Sequence, residues 1–185
     1  YWPQARISAS TLKPPHSHMT ALITRQPMPL VAALLVALAT AASAQPEADA
    51  ITGVWLTAAE DGYIQIFEEN GAYFGKTVGE PPGSGDNDGP EKDVNNPDPA
   101  KRDRSILGIR ILKGFEYNGD GRWEDGEAYD PNNGKSYSAW IELAEPDKLK
   151  LRGYIGISLL GRTEIWTRTS RDAKGVDQSV LVETE

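Results

Sequence analysis

The stretch LKLRGYIGISLLGRTEIWTR, residues 149–168, alternates apolar with polar side chains, yet glycine interrupts it at Gly153, Gly156 and Gly161. Alternation with period two marks a strand with one buried face. Glycine works against a strand, because it packs no side chain and loses most backbone entropy on ordering. A small barrel tolerates it where strands must coil, since kinks and bulges at glycine supply curvature. Leu149, Leu151, Ile155, Ile157 and Leu159 keep one parity, with Gly153 inside their row, and Gly161-Arg162 reads as the bend into a last strand. The glycines have no phosphate-loop spacing and read as bending points.

Outward from this stretch the same grammar repeats. GVWLTA (53–58) opens the series, and YIQIF (63–67) sets Ile64 and Ile66 against Tyr63, Gln65 and Phe67. The turn signals EDG and ENG flank YIQIF, so AYFGKTV (72–78) is expected as the second arm of a hairpin. ILGIRILKGFEY (106–117) puts Leu107, Ile109 and Ile111 on one face. NGDG then leads into RWEDGEAYD (122–130), and PNNGK into SYSAWIEL (136–143), where Tyr137, Ala139, Ile141 and Leu143 share a face. Short strands at even spacing, joined mostly by tight turns, predict an all-β fold: a single antiparallel up-and-down barrel of about eight strands. Closure on itself removes the exposed edges. A long loop rich in Gly, Pro and Asp, residues 79–103, interrupts the series; loops of this length inside compact domains carry function or mobility.

The N-terminal region has a different character. Arg25 precedes the uninterrupted apolar run LVAALLVALATAA (30–42), and Ala42-Ser43-Ala44 fits the small-x-small rule for cleavage. This is the pattern of a secretory signal peptide over 19–44, a signal helix too short to span a bilayer as an anchor. The expected organisation is an upstream segment without native structure (1–18), the signal peptide, a lead (45–52), the barrel (53–170) and a disordered acidic tail (171–185). The protein is then periplasmic or secreted, with no stable membrane insertion after cleavage behind Ala44.

Removing residues 1–44 leaves 141 residues with 16 basic and 27 acidic side chains, a net charge of −11, and no His, Cys or Met. Such acidity argues against nucleic acid and anionic membrane surfaces as partners, since both require basic patches. Without histidine there is no Ser-His-Asp triad, and without cysteine no thiol nucleophile or disulfide. Zinc, copper and haem lose their usual ligands, so neither a cofactor nor a metal is expected. DNDGPEKD (86–93) and NGDGRWEDG (118–126) lack the spacing of a calcium loop and read as solvated turns.

Three segments together carry a family resemblance: NNPDPAKRDRSILG (95–108), GEAYDPNNGKSY (126–137) and LRGYIGISLLGRTEIWTR (151–168). In that order they resemble the exported bacterial family catalogued as domain of unknown function 2147. The resemblance covers nearly all of 53–168. It implies a periplasmic or secreted domain with a lipocalin-like barrel, and it brings no assigned reaction. The loop sequence SGDNDGPEKD is more acidic and glycine-rich than that resemblance leads one to expect. Gly53-Val54-Trp55 also matches the Gly-x-Trp that opens lipocalin-like barrels. There the Trp plugs the closed end and an arginine of the last strand stacks over it. This implies barrel closure by Gly53, Trp55, Trp166 and Arg168, with Arg168 as the stacking partner.

Arginines within these motifs need partners in so acidic a chain. Arg102, Arg104, Arg110, Arg152 and Arg162 either fix loops against carboxylates such as Asp98, Asp103 and Asp130, or reach into a cavity. On the second reading Arg110 or Arg152, with Tyr154, holds the anionic head of a small ligand, and Arg104 and Tyr137 join the candidate set. The leading expectation is a non-enzymatic binding protein for a small apolar or amphipathic molecule. The alternatives are an envelope interaction module acting through loop 79–103 and a carboxylate-based hydrolase using Glu124, Asp125 or Glu127. The cleavage reading has a direct test. N-terminal sequencing of the protein recovered from a bacterial host is expected to begin at Gln45, and a terminus at Tyr1 or Met19 overturns it.

Overall fold

The computed structural model describes residues 47–84 and 91–183; the expected signal segment and residues 1–18 lie outside them. The strands are β1 (Gly53–Leu56), β2 (Tyr63–Glu69), β3 (Ala72–Gly79), β4 (Arg110–Tyr117), β5 (Arg122–Asp130), β6 (Lys135–Glu145), β7 (Lys148–Tyr154) and β8 (Gly161–Thr169). Each pairs antiparallel with the next, and β8 returns to β1 to close the barrel. The expected up-and-down barrel is therefore what forms.

Ladder partners share a face, so the register sorts inner from outer side chains. Across β6, β7 and β8 the rows Leu143–Leu149–Trp166, Ile141–Leu151–Glu164 and Ala139–Gly153–Arg162 point inward. Between them Trp140–Arg152–Thr163 and Glu142–Lys150–Ile165 point outward. The inner aromatic residues Trp55, Trp123, Phe115, Tyr73 and Trp166 belong to one continuous buried core. The ring of Phe115 lies over Gly126, where any added Cβ would sit 2.4 Å from it.

One end of the barrel is closed by the chain that precedes β1. A 3-10 turn, Asp49–Ile51, brings Ala48 and Ile51 into the core. Trp123 Nε1 donates to Ala48 O at 2.9 Å, Trp55 Nε1 to Ile51 O at 2.9 Å, and Tyr73 OH to Asp49 Oδ1 at 2.8 Å. The Arg168 guanidinium lies over the Trp55 ring, 4.1 Å from its centroid. Its nitrogens donate to the carbonyls of Ala50, Thr52 and Pro146. Gly53 adopts φ +124°, and a Cβ there would approach Arg168 Nη1 to 2.9 Å, so glycine suits both the backbone and the space.

Three expectations need correction. First, β7 stops at Tyr154, and Ile155, Ile157 and Leu159 do not continue its inner row. Gly156 turns the chain at φ +76°, and Arg152 fixes the new course by donating to Ser158 O and Leu159 O at 2.8 and 3.1 Å. Second, β4 begins at Arg110, not Ile106: Ile111 lies in the core together with Leu112 and Phe115, Ile109 packs against that core from ahead of the strand, and Leu107 stays half-buried outside it. Register shifts in the β3–β4 ladder reset the parity. Third, residues 171–183 are not a disordered tail. They lie along the outside of β1–β3, where Ala173, Val176, Val180 and Leu181 pack on Val54, Tyr63 and Val78. Gln65, fully buried, clamps Val182 through both backbone groups at 2.8 Å. The apolar outer face of β2 has to be covered, and this segment covers it.

The closure generates a prediction. Trp55→Ala removes a fully buried indole and is expected to lower stability by ~3–5 kcal/mol. Arg168→Ala loses the ring contact and three hydrogen bonds and is expected to act on the same unit. The double variant is therefore less destabilised than the sum of the singles. Denaturant melts of the four proteins check this, and strictly additive losses would contradict a shared contact.

Candidate functional site

The inner rows change character from one end of the barrel to the other. Near the closed end Leu149 is fully buried and Trp166 is 3 % exposed. One row further along, Glu164 faces inward with its side chain 33 % exposed, and beyond it Arg162 reaches 85 % at the rim. Glu164 accepts from Trp166 Nε1 at 3.2 Å and pairs with Arg162 at 3.3 Å. Tyr137 stands on the same side, in a row with Ala128, and its hydroxyl accepts from Asn133 Nδ2 at 3.0 Å. The lining here is small: Ala128, Ala139 and Gly153 occupy inward positions. This half-exposed mouth, apolar below and polar at the rim, is the candidate site.

Of the residues singled out from the sequence, Tyr137 and Arg162 are at the mouth, and Arg104, Arg110, Arg152 and Tyr154 are not. Arg110 lies on the outer face, where it stacks on Phe67 and Phe74 (5.3 and 5.0 Å to the centroids). It grips Glu69 through two hydrogen bonds of 2.7 and 2.9 Å, which hold the Glu69 carboxyl below the usual range. Arg152 also points outward and is used up on Ser158 O, Leu159 O and Thr163 Oγ1. Tyr154 pairs with Ser138 on that same outer side. The carboxylates considered for hydrolysis do not meet in a cleft: Glu124 pairs with Arg122, Glu127 with Lys113, and Asp125 occupies an exposed bulge at φ +58°. Most of DNDGPEKD lies outside the described residues. Glu164 was legible, since it sits two residues before Trp166 and therefore in its row, but a charge in an inner row runs against the usual expectation.

Arg104 belongs to a separate cluster that fixes the long loop. Asp93 is fully buried and receives Tyr129 OH at 2.6 Å, Asn96 Nδ2 at 2.7 Å, and Arg104 Nε and Nη2 at 3.0 and 2.7 Å. Burial raises the Asp93 pKa, and the three donors outweigh it and hold it below the ordinary value. Burial and the Asp93 contact push the Tyr129 hydroxyl up to about 12. Around this anchor Asn95 Nδ2 reaches Pro131 O and Asn132 O, and Arg102 Nε reaches Asn96 O. The NNPDPAKRDR segment thus docks on the β5–β6 turn, with the Asp93 carboxylate taken up by its three donors.

The comparisons with known proteins agree with this architecture. The sequence model of a family described as an uncharacterized protein conserved in bacteria, domain of unknown function 2147, matches residues 53–168. The solved structure of HP1028 from the human pathogen Helicobacter pylori, described as belonging to the lipocalin family, is similar at 25 % identity with a TM-score of 0.57. The match covers 65 % of this chain and 83 % of that one. No curated protein matches.

The Asp93 cluster has a testable consequence. A carboxylate whose pKa is lowered on folding stabilises above its unfolded pKa of about 4, and the effect fades as pH falls through the lower folded value. Asp93→Asn is expected to destabilise by about 1–3 kcal/mol at pH 7, because Arg104 loses a buried charge partner. The gap between the melting temperatures of wild type and variant then narrows toward pH 3. A gap independent of pH would contradict this account.

Proposed function

The chain belongs to the bacterial family of domain of unknown function 2147, and from its barrel we propose that it is an exported lipocalin-like protein that binds one small amphipathic molecule. The observation that carries this reading is the gradient along the inner rows. Fully buried aromatics seal one end, and toward the other the inner rows carry small residues, Ala128, Ala139 and Gly153, and then the half-exposed Tyr137 and the Arg162–Glu164 pair. An eight-stranded barrel holds at most one such ligand. Its apolar part would enter over Leu151 and Ala139, and its polar head would stay at the rim, where hydrogen-bonding groups fix orientation.

The polar contacts fall to Tyr137, Glu164 and Arg162. Arg110 and Arg152 stand outside the barrel with their own partners. The Arg162–Glu164 pair carries both charges, so it suits a neutral or zwitterionic head better than a simple anion. The signal-like segment at 19–44 supports export of the binding protein. Native mass spectrometry of protein purified from its own host tests the proposal. A retained mass that dissociates on denaturation is expected, and Tyr137→Ala with Glu164→Gln is expected to lower its occupancy while lowering the unfolding free energy by no more than about 1–2 kcal/mol. Protein of bare sequence mass that also binds no apolar fluorophore would overturn it.

A further inference from the structure

Asparagine followed by glycine occurs three times, at Asn70-Gly71, Asn118-Gly119 and Asn133-Gly134, each in a turn between strands. The pair has a chemistry of its own. Glycine has no side chain to keep its backbone nitrogen away from the asparagine amide, so that nitrogen can attack Cγ and close a five-membered ring. The folded chain permits or prevents this through its hydrogen bonds. What counts is whether the glycine N–H is already donated, whether the amide nitrogen is held, and whether donors face the oxygen on which charge develops.

At Asn133 the reaction is opposed on two sides. Its Nδ2 donates to Asp130 Oδ2 at 2.7 Å and to Tyr137 OH at 3.0 Å, and the Gly134 N–H donates to Asp130 O at 2.8 Å. Gly134 is also pressed against the long loop, since a Cβ there would lie 1.9 Å from Asn95 O. At Asn70 the Gly71 N–H is donated to the Glu68 carboxylate, which takes the attacking atom out of use. At Asn118 the bonds fall the other way. Its Oδ1 accepts from Asp120 N at 2.8 Å and from Arg122 N at 3.2 Å. Among the described residues, neither Asn118 Nδ2 nor the Gly119 N–H has a partner. Asn118, Gly119 and Asp120 are exposed, and no atom lies within 4 Å of where a Cβ would stand at Gly119.

We propose that Asn118 is a site of spontaneous deamidation, with Gly119 N as the nucleophile and the backbone N–H groups of Asp120 and Arg122 as an oxyanion hole. The bond from Gly119 N to Cγ forms, the Cγ–Nδ2 bond breaks, and the proton lost by Gly119 N leaves with the amide group as ammonia. Water then opens the ring at either carbonyl and gives aspartate or isoaspartate at 118. The two donors already face the oxygen that carries the negative charge of the tetrahedral intermediate, so they need no rearrangement as it forms. Either product adds a carboxylate beside Asp120, and isoaspartate also lengthens the main chain by one methylene. The turn lies at the sealed end, next to Tyr117, whose hydroxyl accepts from Gly121 N at 3.2 Å and whose ring packs on Trp123. The mouth is at the opposite end, so the proposal stands apart from whether a ligand binds there.

The test is site-resolved mass spectrometry of the full chain incubated at mildly alkaline pH, folded and in parallel unfolded in urea. In urea the three pairs are expected to react at similar rates, because each is then an unrestrained Asn-Gly. Folding is expected to slow Asn70 and Asn133 by roughly tenfold or more, since each site must first give up a hydrogen bond to a carboxylate. Asn118 is expected to keep its rate and to lead the folded chain, with both isoaspartate and aspartate as products. An Asn118 slowed by folding as much as the other two, or a lead by Asn70 or Asn133, would overturn the proposal. Aspartate as the sole product at 118 would overturn it as well, because it marks direct hydrolysis of the amide without the ring.

Discussion

The Arg168 guanidinium ties together three parts of the chain that are separated in sequence. It stacks on Trp55 of β1, belongs to β8, and donates to Ala50 and Thr52 before β1 and to Pro146 in the β6–β7 turn. A closed sheet needs its first and last strands joined, and the β1–β8 ladder is short, with Val54, Trp55 and Leu56 as its paired positions. The cation on the indole supplies what so few ladder bonds leave weak. Its burial pushes the Arg168 pKa down, and the carbonyl acceptors around it satisfy the charged group that burial would otherwise penalise. Because the 3-10 turn before β1 hangs on the same arginine, closing the seam also plugs the end.

A sealed end makes the two halves of the barrel unequal. Ile51, Trp55, Trp123 and Phe115 fill the space beside the plug, each at 0–1 % exposure. The inner rows run out into Gly153, Tyr137, Glu164 and Arg162, and a carboxylate in an inner row is tolerable only because water and Arg162 reach it. The way the seam is held is therefore what makes the two ends of the barrel differ.

The barrel itself was legible because alternation and turn residues carry it locally. YIQIF, SYSAWIEL and LKLRG each announce which side chains share a face, and the register agrees. What escaped follows from local parity being reset or absent. In β4 the register shifts against β3 at Tyr73, Gly75 and Lys76, so Leu112 and Phe115 join Ile111 in the core, Leu107 drops out of it, and Arg110 moves to the outer wall. Residues 171–183 run across strands, not along one, and a crossing segment has no period to read. A clue to it stood in YIQIF, where Tyr63 and Phe67 make the outer face of β2 as apolar as the inner one.

The arginines show why residue type alone does not assign a role. Arg104, Arg110, Arg152 and Arg168 have the same head, and each is committed differently: to a buried carboxylate, to a glutamate over two phenyl rings, to loop carbonyls, and to an indole. In an acidic chain a guanidinium is the strongest available fastener, because five donors can satisfy several acceptors at once. Three of these commitments hold a loop or seam in place, and the fourth shields aromatic surface. Arg162 is the exception. With 85 % of its side chain exposed and one glutamate beside it, it stands at the start of β8, at the rim of the inner rows. A guanidinium so exposed keeps donors turned toward water, and contact with something outside the chain is to be sought there.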